Sequence, residues 1–141
     1  MAIRERVSAF VVDASVSAVW VFDDESNPMA DVLLAELRGD SSGFVPQHWS
    51  LEMWNTLLVG ARRGRIALED IPSRMSSLGS LRLHTDAEAR FEDGLYLARL
   101  YNLTMYDAMY LELALRRRLP LATLDRRLSQ ATSNAGVETL P

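Results

Sequence analysis

Two short apolar runs in this sequence lead to a lone carboxylate. F-V-V-D-A-S sets Asp13 directly after Phe10 to Val12, and L-P-L-A-T-L-D-R-R-L sets Asp125 just beyond Leu121 to Thr123. A charge at the end of a buried strand needs a partner, because an ionised carboxylate away from water is heavily penalised. Two more acids qualify as companions: Glu52, one turn into the helix expected after Pro46, and Asp107, in the first turn of the helix announced by T-M-Y-D. Gathered at one cleft, such like charges resist joint ionisation and raise one another's pKa. A divalent cation would relieve that repulsion. With no cysteine in the chain and only His48 and His84 as imidazoles, the donors are hard oxygens suited to Mg²⁺ or Mn²⁺. Those ions keep several waters and bind through a few carboxylates plus substrate phosphates. The chemistry such a set would do is phosphoryl transfer to water.

Each acid also has an ordinary structural reading. Asp107 follows Thr104 by three residues, so T-x-x-D could be a capping box at a helix start. Asp13 and Asp125 could each be the N-cap of the helix that follows. Taken singly, these roles account for each acid as well as chemistry does. Glu52 is harder to explain this way, because it lies within an apolar pattern, Trp49, Leu51, Met53, Trp54, Leu57 and Leu58, where a carboxylate needs a partner.

The elements that must carry these residues follow from periodicity. Strand-length apolar stretches fall at residues 9–12, 44–45, 81–83, 121–123 and 137–140, separated mostly by longer helical patterns. Strands alternating with helices predict an α/β fold, with a mainly parallel central sheet of four or five strands flanked by helices. In such a sheet, ligands collect beyond the carboxyl ends of the strands near the point where strand order reverses. Asp13 and Asp125 both occupy that kind of position. Helices are expected over residues 28–37, 47–63 and 86–101, over Met105 to Arg117, and in a short piece after Asp125; residues 68–78 form a weaker pattern interrupted by Pro72. Phe91, Leu95, Ala98 and Leu100 should share one packed face, as should Ala108, Leu111 and Leu115. Gly39 to Gly43 reads as a loop.

Composition narrows the function classes. The 141 residues suit one domain over the whole chain, and 48% hydrophobic with 24% charged residues is a globular balance. All 15 basic residues are arginine, which excludes a P-loop lysine and a Schiff-base lysine. A formal net charge of −4 argues against coating nucleic acid nonspecifically. No run approaches the roughly 20 apolar residues of a membrane helix, and the start M-A-I-R-E-R-V lacks the apolar core of a signal peptide, so a cytoplasmic location is expected.

The order F-V-V-D-A-S, V-P-Q-H-W-S-L-E-M-W-N-T-L, M-Y-D-A-M-Y-L-E-L-A and L-P-L-A-T-L-D-R-R-L resembles the PIN-domain ribonucleases, most closely the VapC toxins of bacterial toxin-antitoxin pairs. The likeness runs from Val7 to Leu140; no one motif is specific, but their order and separations are. The resemblance implies that Asp13, Glu52, Asp107 and Asp125 bind Mg²⁺ or Mn²⁺ and support RNA hydrolysis. It also implies that Ser15 and Thr123 are hydroxyls near the site and that Asn55 is a polar residue that steadies it. His48 is not carried over as a ligand. The family further implies a cognate antitoxin that lies in a groove over the site, and a homodimer. Trp20 and Phe22, followed by D-D-E, could border such a groove, although they and Trp49 and Trp54 are most simply core.

Arginines cluster at Arg62, Arg63 and Arg65, at Arg116 to Arg118, and at Arg126 and Arg127. The first two groups end helices, where cations complement the dipole and stay solvated. Arg126 and Arg127 open a helix, where the dipole disfavours them, so contact with RNA phosphate is the better explanation there. Two other readings compete with a nuclease: a non-catalytic binding module on the same fold, in which the acids are only caps, and a phosphotransfer-type α/β domain built around a strand-end aspartate. The absence of lysine weakens the latter, as does D-A-S where a second aspartate would be expected two residues on.

Overall fold

The computed structural model describes residues 7–140; the segment M-A-I-R-E-R, part of the reading on targeting, lies outside them. Five strands form one sheet in which every neighbouring pair is parallel: β1 (Ala9–Val12), β2 (Ser42–Pro46), β3 (Leu83–Asp86), β4 (Leu121–Ala122) and β5 (Thr139–Leu140). Their order is β3-β2-β1-β4-β5. The chain therefore builds outward from β1 on one side, then crosses back to add β4 and β5 on the other, which puts the reversal of strand order between β1 and β4. Phe10, Val11 and Val12 are fully buried, as expected of a parallel strand covered on both faces.

Seven α-helices connect the strands among the described residues: α1 (Ala14–Val21), α2 (Pro28–Arg38), α3 (Trp49–Arg62), α4 (Ile71–Gly79), α5 (Phe91–Tyr101), α6 (Met105–Arg117) and α7 (Arg126–Asn134). The predicted α/β fold, with a mainly parallel sheet of four or five strands, is what the chain adopts, with five. Start signals behave as expected. Asn27 accepts from the Met29 and Ala30 N–H groups ahead of Pro28, and Thr104 accepts from the Asp107 N–H.

Several boundaries differ from expectation. The weak pattern at residues 68–78 divides into a 3₁₀ turn, Leu68–Asp70, and α4, because Pro72 lies in the first turn of α4, where its missing N–H is harmless. The helix expected from residue 86 starts only at Phe91; Asp86 instead ends β3, where Arg116 and Arg117 hold its carboxylate. The Gly39 to Gly43 loop stops early, since Ser42 and Gly43 already pair with β1. The packed face of α5 is Gly94, Leu97 and Ala98, whereas Phe91, Leu95 and Leu100 point outward at 65%, 52% and 55% exposure. Leu115 is likewise largely exposed, and α6 is instead buried continuously from Ala108 to Ala114, between α5 on one side and β1 and β2 on the other.

The first two arginine clusters are not simply solvated. Arg65 pairs with Asp24 and Glu25 and lies over the Phe22 ring at 3.9 Å. Arg116 bridges Asp86 and Glu112, both buried, and Arg117 joins Asp86 while stacking on Phe44. These arginines hold Asp86 well below the usual carboxylate range. Phe22 is core, and the D-D-E run after it is spent on Arg65 and Arg74.

Phe22 also limits α3. A Cβ on Gly60 would fall 2.5 Å from the Phe22 ring, and a ring pinned under Arg65 has little room to yield. Gly60→Ala should destabilise the protein by about 1–3 kcal/mol through overpacking, read as a fall of several degrees in Tm by calorimetry; an unchanged Tm would show that this contact relaxes freely.

Candidate active site

Asp13 ends β1 and caps α1. It is 4% exposed. Its Oδ1 accepts from the Val16 N–H at 3.1 Å and from the Ser15 hydroxyl at 2.6 Å, and its Oδ2 accepts from the Thr123 hydroxyl. Each hydroxyl is tied in turn to the loop after β4: Ser15 Oγ accepts from the Leu124 N–H at 2.8 Å, and Thr123 Oγ1 accepts from the Asp125 N–H at 3.0 Å within its own loop. Parallel pairing of Val12 with Ala122, extended by the Asp13 N–H to the Ala122 carbonyl at 3.1 Å, sets this register. Ser15 and Thr123 therefore join the strand ends on either side of the switch point through the Asp13 carboxylate.

Glu52 reaches the site from α3. That helix lacks a side-chain cap, and its start is held to α1 by the Trp49 indole N–H, which donates to Ser17 Oγ at 3.0 Å; Ser17 in turn donates to the Asp13 carbonyl. Glu52 Oε1 accepts from the Tyr110 hydroxyl at 2.8 Å and lies 3.1 Å from His48 Nε2. Asp107 comes from the first turn of α6, and Asp125 caps α7 by accepting from the Leu128 N–H at 2.8 Å. Asp13 and Asp125 thus have the capping roles their sequence positions allow, whereas at Asp107 the backbone N–H takes part in the cap, by donating to Thr104 Oγ1.

The electrostatics tie the acids together. Burial pushes Asp13 up to about 6, against the lowering effect of its Ser15, Thr123 and Val16 donors, with Asp107 adding to the rise. Asp107 is raised by burial first, then by Asp125 and by Glu52. Asp107 therefore feels the charge of each of the other three acids or imposes its own on it. An all-oxygen set with two acids driven upward fits a hard divalent cation, which would reverse both shifts. Among the described residues, no three carboxylate or imidazole groups close around one point as the side chains stand.

The remaining expected residues are dispersed. Arg126 and Arg127 are exposed at the start of α7, where Arg126 borders a shallow depression of about 340 Å³ with Thr123, Asp125 and Ser129. Asn55 is exposed on α3 and faces an apolar groove with Leu51, Trp54, Leu58, Ile71 and Pro72. Tyr110 and His48 were not among the expected site residues. Their sequence signals were present, since Tyr110 follows Asp107 by three positions and His48 precedes Glu52 by four, which places each pair on one helical side.

Fold and site together define a parallel α/β protein with electrostatically coupled acids near its switch point. Residues 10–133 match the PIN domain, and the chain belongs to the PIN domain family. It is 29% identical over 124 residues to Ribonuclease VapC3 of Pyrobaculum aerophilum, covering 85% of this chain and 92% of that one. Among solved structures it resembles PAE2754 from Pyrobaculum aerophilum, with a TM-score of 0.72 at 22% identity over 95% of this chain and 92% of the other. It also resembles a chain of a toxin-antitoxin complex from Klebsiella pneumoniae, with a TM-score of 0.56 at 18% identity over 82% and 86%.

Because Asp13 titrates in the fold at about 6, above its ordinary 3.8, its ionisation opposes folding. The penalty is absent below about pH 4, grows through pH 6, and reaches the order of 3 kcal/mol above it. Asp13→Asn keeps the cap acceptor but carries no charge. In chelator it should raise Tm by several degrees at pH 8 and change it little at pH 4. A lower Tm at pH 8 would refute the burial argument.

Proposed function

We propose that this protein is a Mg²⁺- or Mn²⁺-dependent endoribonuclease and the toxin of a toxin-antitoxin pair. The observation that carries the reading is the electrostatic coupling of Asp13, Glu52, Asp107 and Asp125 at the β1–β4 switch point; the VapC3 relative and the toxin-antitoxin neighbour support it. Asp13, Asp107 and Asp125 would hold the ion, directly or through water, with Glu52 completing the shell or orienting the attacking water. When bound, the ion would lower that water's pKa and stabilise charge developing on the phosphate.

The chain's own residues perform the rest. Ser15 and Thr123 fix Asp13 so that its carboxylate cannot rotate away. Arg126 and Arg127, exposed beside Asp125, would take RNA phosphates. Water attacks phosphorus in line and the bond to the 3′-oxygen breaks, leaving a 5′-phosphate and a 3′-hydroxyl.

One observation favours a second reading, that of a non-catalytic binding module: Asp13 and Asp125 do cap helices, and Thr104 does cap α6 ahead of Asp107. Asparagine separates the two, since it caps as well as aspartate. Asp13→Asn and Asp125→Asn should fold normally, lose Mn²⁺ binding by titration calorimetry, and lose RNA cleavage by more than the about 10–100-fold typical of an outer-shell loss. Undiminished metal-dependent cleavage in either variant would overturn the nuclease assignment.

The partners follow from exposed apolar surface. The α3–α4 groove of Leu51, Trp54, Leu58, Leu68, Ile71 and Pro72 lies on the helix that carries Glu52, and an antitoxin segment would bind there. Phe91, Leu95, Tyr96 and Leu100 make α5 a candidate homodimer face. Light scattering should give the mass of two chains, and Leu95→Asp the mass of one; a wild-type monomer at micromolar concentration would remove the dimer. No helix among the described residues is long and apolar enough to cross a membrane.

A further inference from the structure

Glu52 is partly exposed on a helix without a side-chain cap, and a glutamate there would ordinarily sample several rotamers. Here its Oε1 is engaged from two sides. The Tyr110 hydroxyl donates to it at 2.8 Å. His48 Nε2 stands 3.1 Å from the same oxygen and 3.0 Å from the Tyr106 carbonyl oxygen. A carbonyl and a carboxylate can only accept, so that nitrogen carries the hydrogen and donates it to the Tyr106 carbonyl, with Oε1 close beside it. The Tyr110 hydroxyl and the His48 ring therefore both meet Oε1, whereas Oε2 takes no hydrogen bond among the described residues.

The donors are themselves fixed. Tyr110 is 1% exposed, so its hydroxyl would be a buried unpaired donor without Glu52. The His48 ring meets the Tyr110 ring edge-on at 5.1 Å between centroids and the Tyr106 ring at 5.7 Å. Tyr106 and Tyr110 flank Asp107 on α6, one residue before it and three after. The helix that carries Asp107 thus also dictates where the Glu52 carboxylate stands.

We propose that Tyr110 and His48 are positioning residues that lock Glu52 Oε1 and present Oε2 alone to the cation or its water, making Glu52 a one-oxygen partner registered to Asp107. The inference rests on the metal-site reading above. Losing an outer-shell donor of this kind costs about 10–100-fold in metal affinity.

The test is Mn²⁺ titration calorimetry on the full-length chain in a double-mutant cycle. Tyr110→Phe, which keeps the ring, should weaken binding about 10–100-fold, and should have no further effect in a Glu52→Gln background. His48→Phe should weaken binding in the same way, with His48→Gln, which keeps an amide donor, restoring part of it; this pair stands in if Tyr110→Phe does not fold. If Glu52→Gln weakens binding while Tyr110→Phe and His48→Phe do not, or if their effects add to that of Glu52→Gln, the positioning role is wrong and the metal site stands. If the wild type binds no Mn²⁺, or Glu52→Gln binds as the wild type does, the reading of Glu52 fails and the positioning role falls with it.

Discussion

Asp13 keeps a carboxylate where almost no water reaches it, and the local structure is organised around that burden. Burial alone would drive it neutral; donors from Ser15, Thr123 and the Val16 N–H pull back toward the ionised form and leave it at about 6. The same donors make the group structural. Because Ser15 and Thr123 each also accept from the loop after β4, the Asp13 carboxylate joins two strands that are remote in sequence and adjacent only by the reversal of strand order. A cation there would replace a strained compromise with a paired charge, so structure and chemistry draw on one interaction.

The second constraint is α6. Buried from Ala108 to Ala114, it works as an interior strut. Its far end is tied to β3 through Arg116, Arg117 and Asp86, with Glu112 in the same network accepting from the Arg90 N–H ahead of α5. Its near end presents Asp107, with Tyr106 and Tyr110 on either side. An ion-pair network with two buried acids is a poor source of net stability, but it fixes the rotation and height of the helix, which is what a site assembled from several segments requires. Arginine suits the role: the planar fork of Arg116 engages two carboxylates, and Arg117 holds Asp86 while its face lies on the Phe44 ring.

Much of this was legible from residue order. Continuous apolar character at Phe10 to Val12 reads directly as a strand covered on both faces, and Thr104 with Arg117 marks both ends of α6. Legibility failed where a tertiary partner outweighed a local signal. Asp86 looks like a helix start until Arg116 and Arg117, about 30 residues on, claim it for the end of a strand. The outward face of α5 is apolar and periodic, and periodicity alone does not say whether a core or another molecule covers it. In the site, the four acids could be proposed from strand ends and helix starts. The Tyr110 contact to Glu52 could not, because the tyrosine lies 58 residues from its partner; the spacing of His48, four before Glu52, allows a pairing without singling it out among the uses of a histidine near a helix start.

The strand order also bears on synthesis. β1, the central strand, ends at Val12, yet its neighbour β4 begins only at Leu121. Until then one edge of β1 lies open, Asp13 lacks its Thr123 donor, and neither Asp107 nor Asp125 has a settled place. Non-local parallel pairing of this kind is slow to form and comes late. Asp13, Glu52, Asp107 and Asp125 therefore come together only after the segment from Leu121 to Asp125 has left the ribosome.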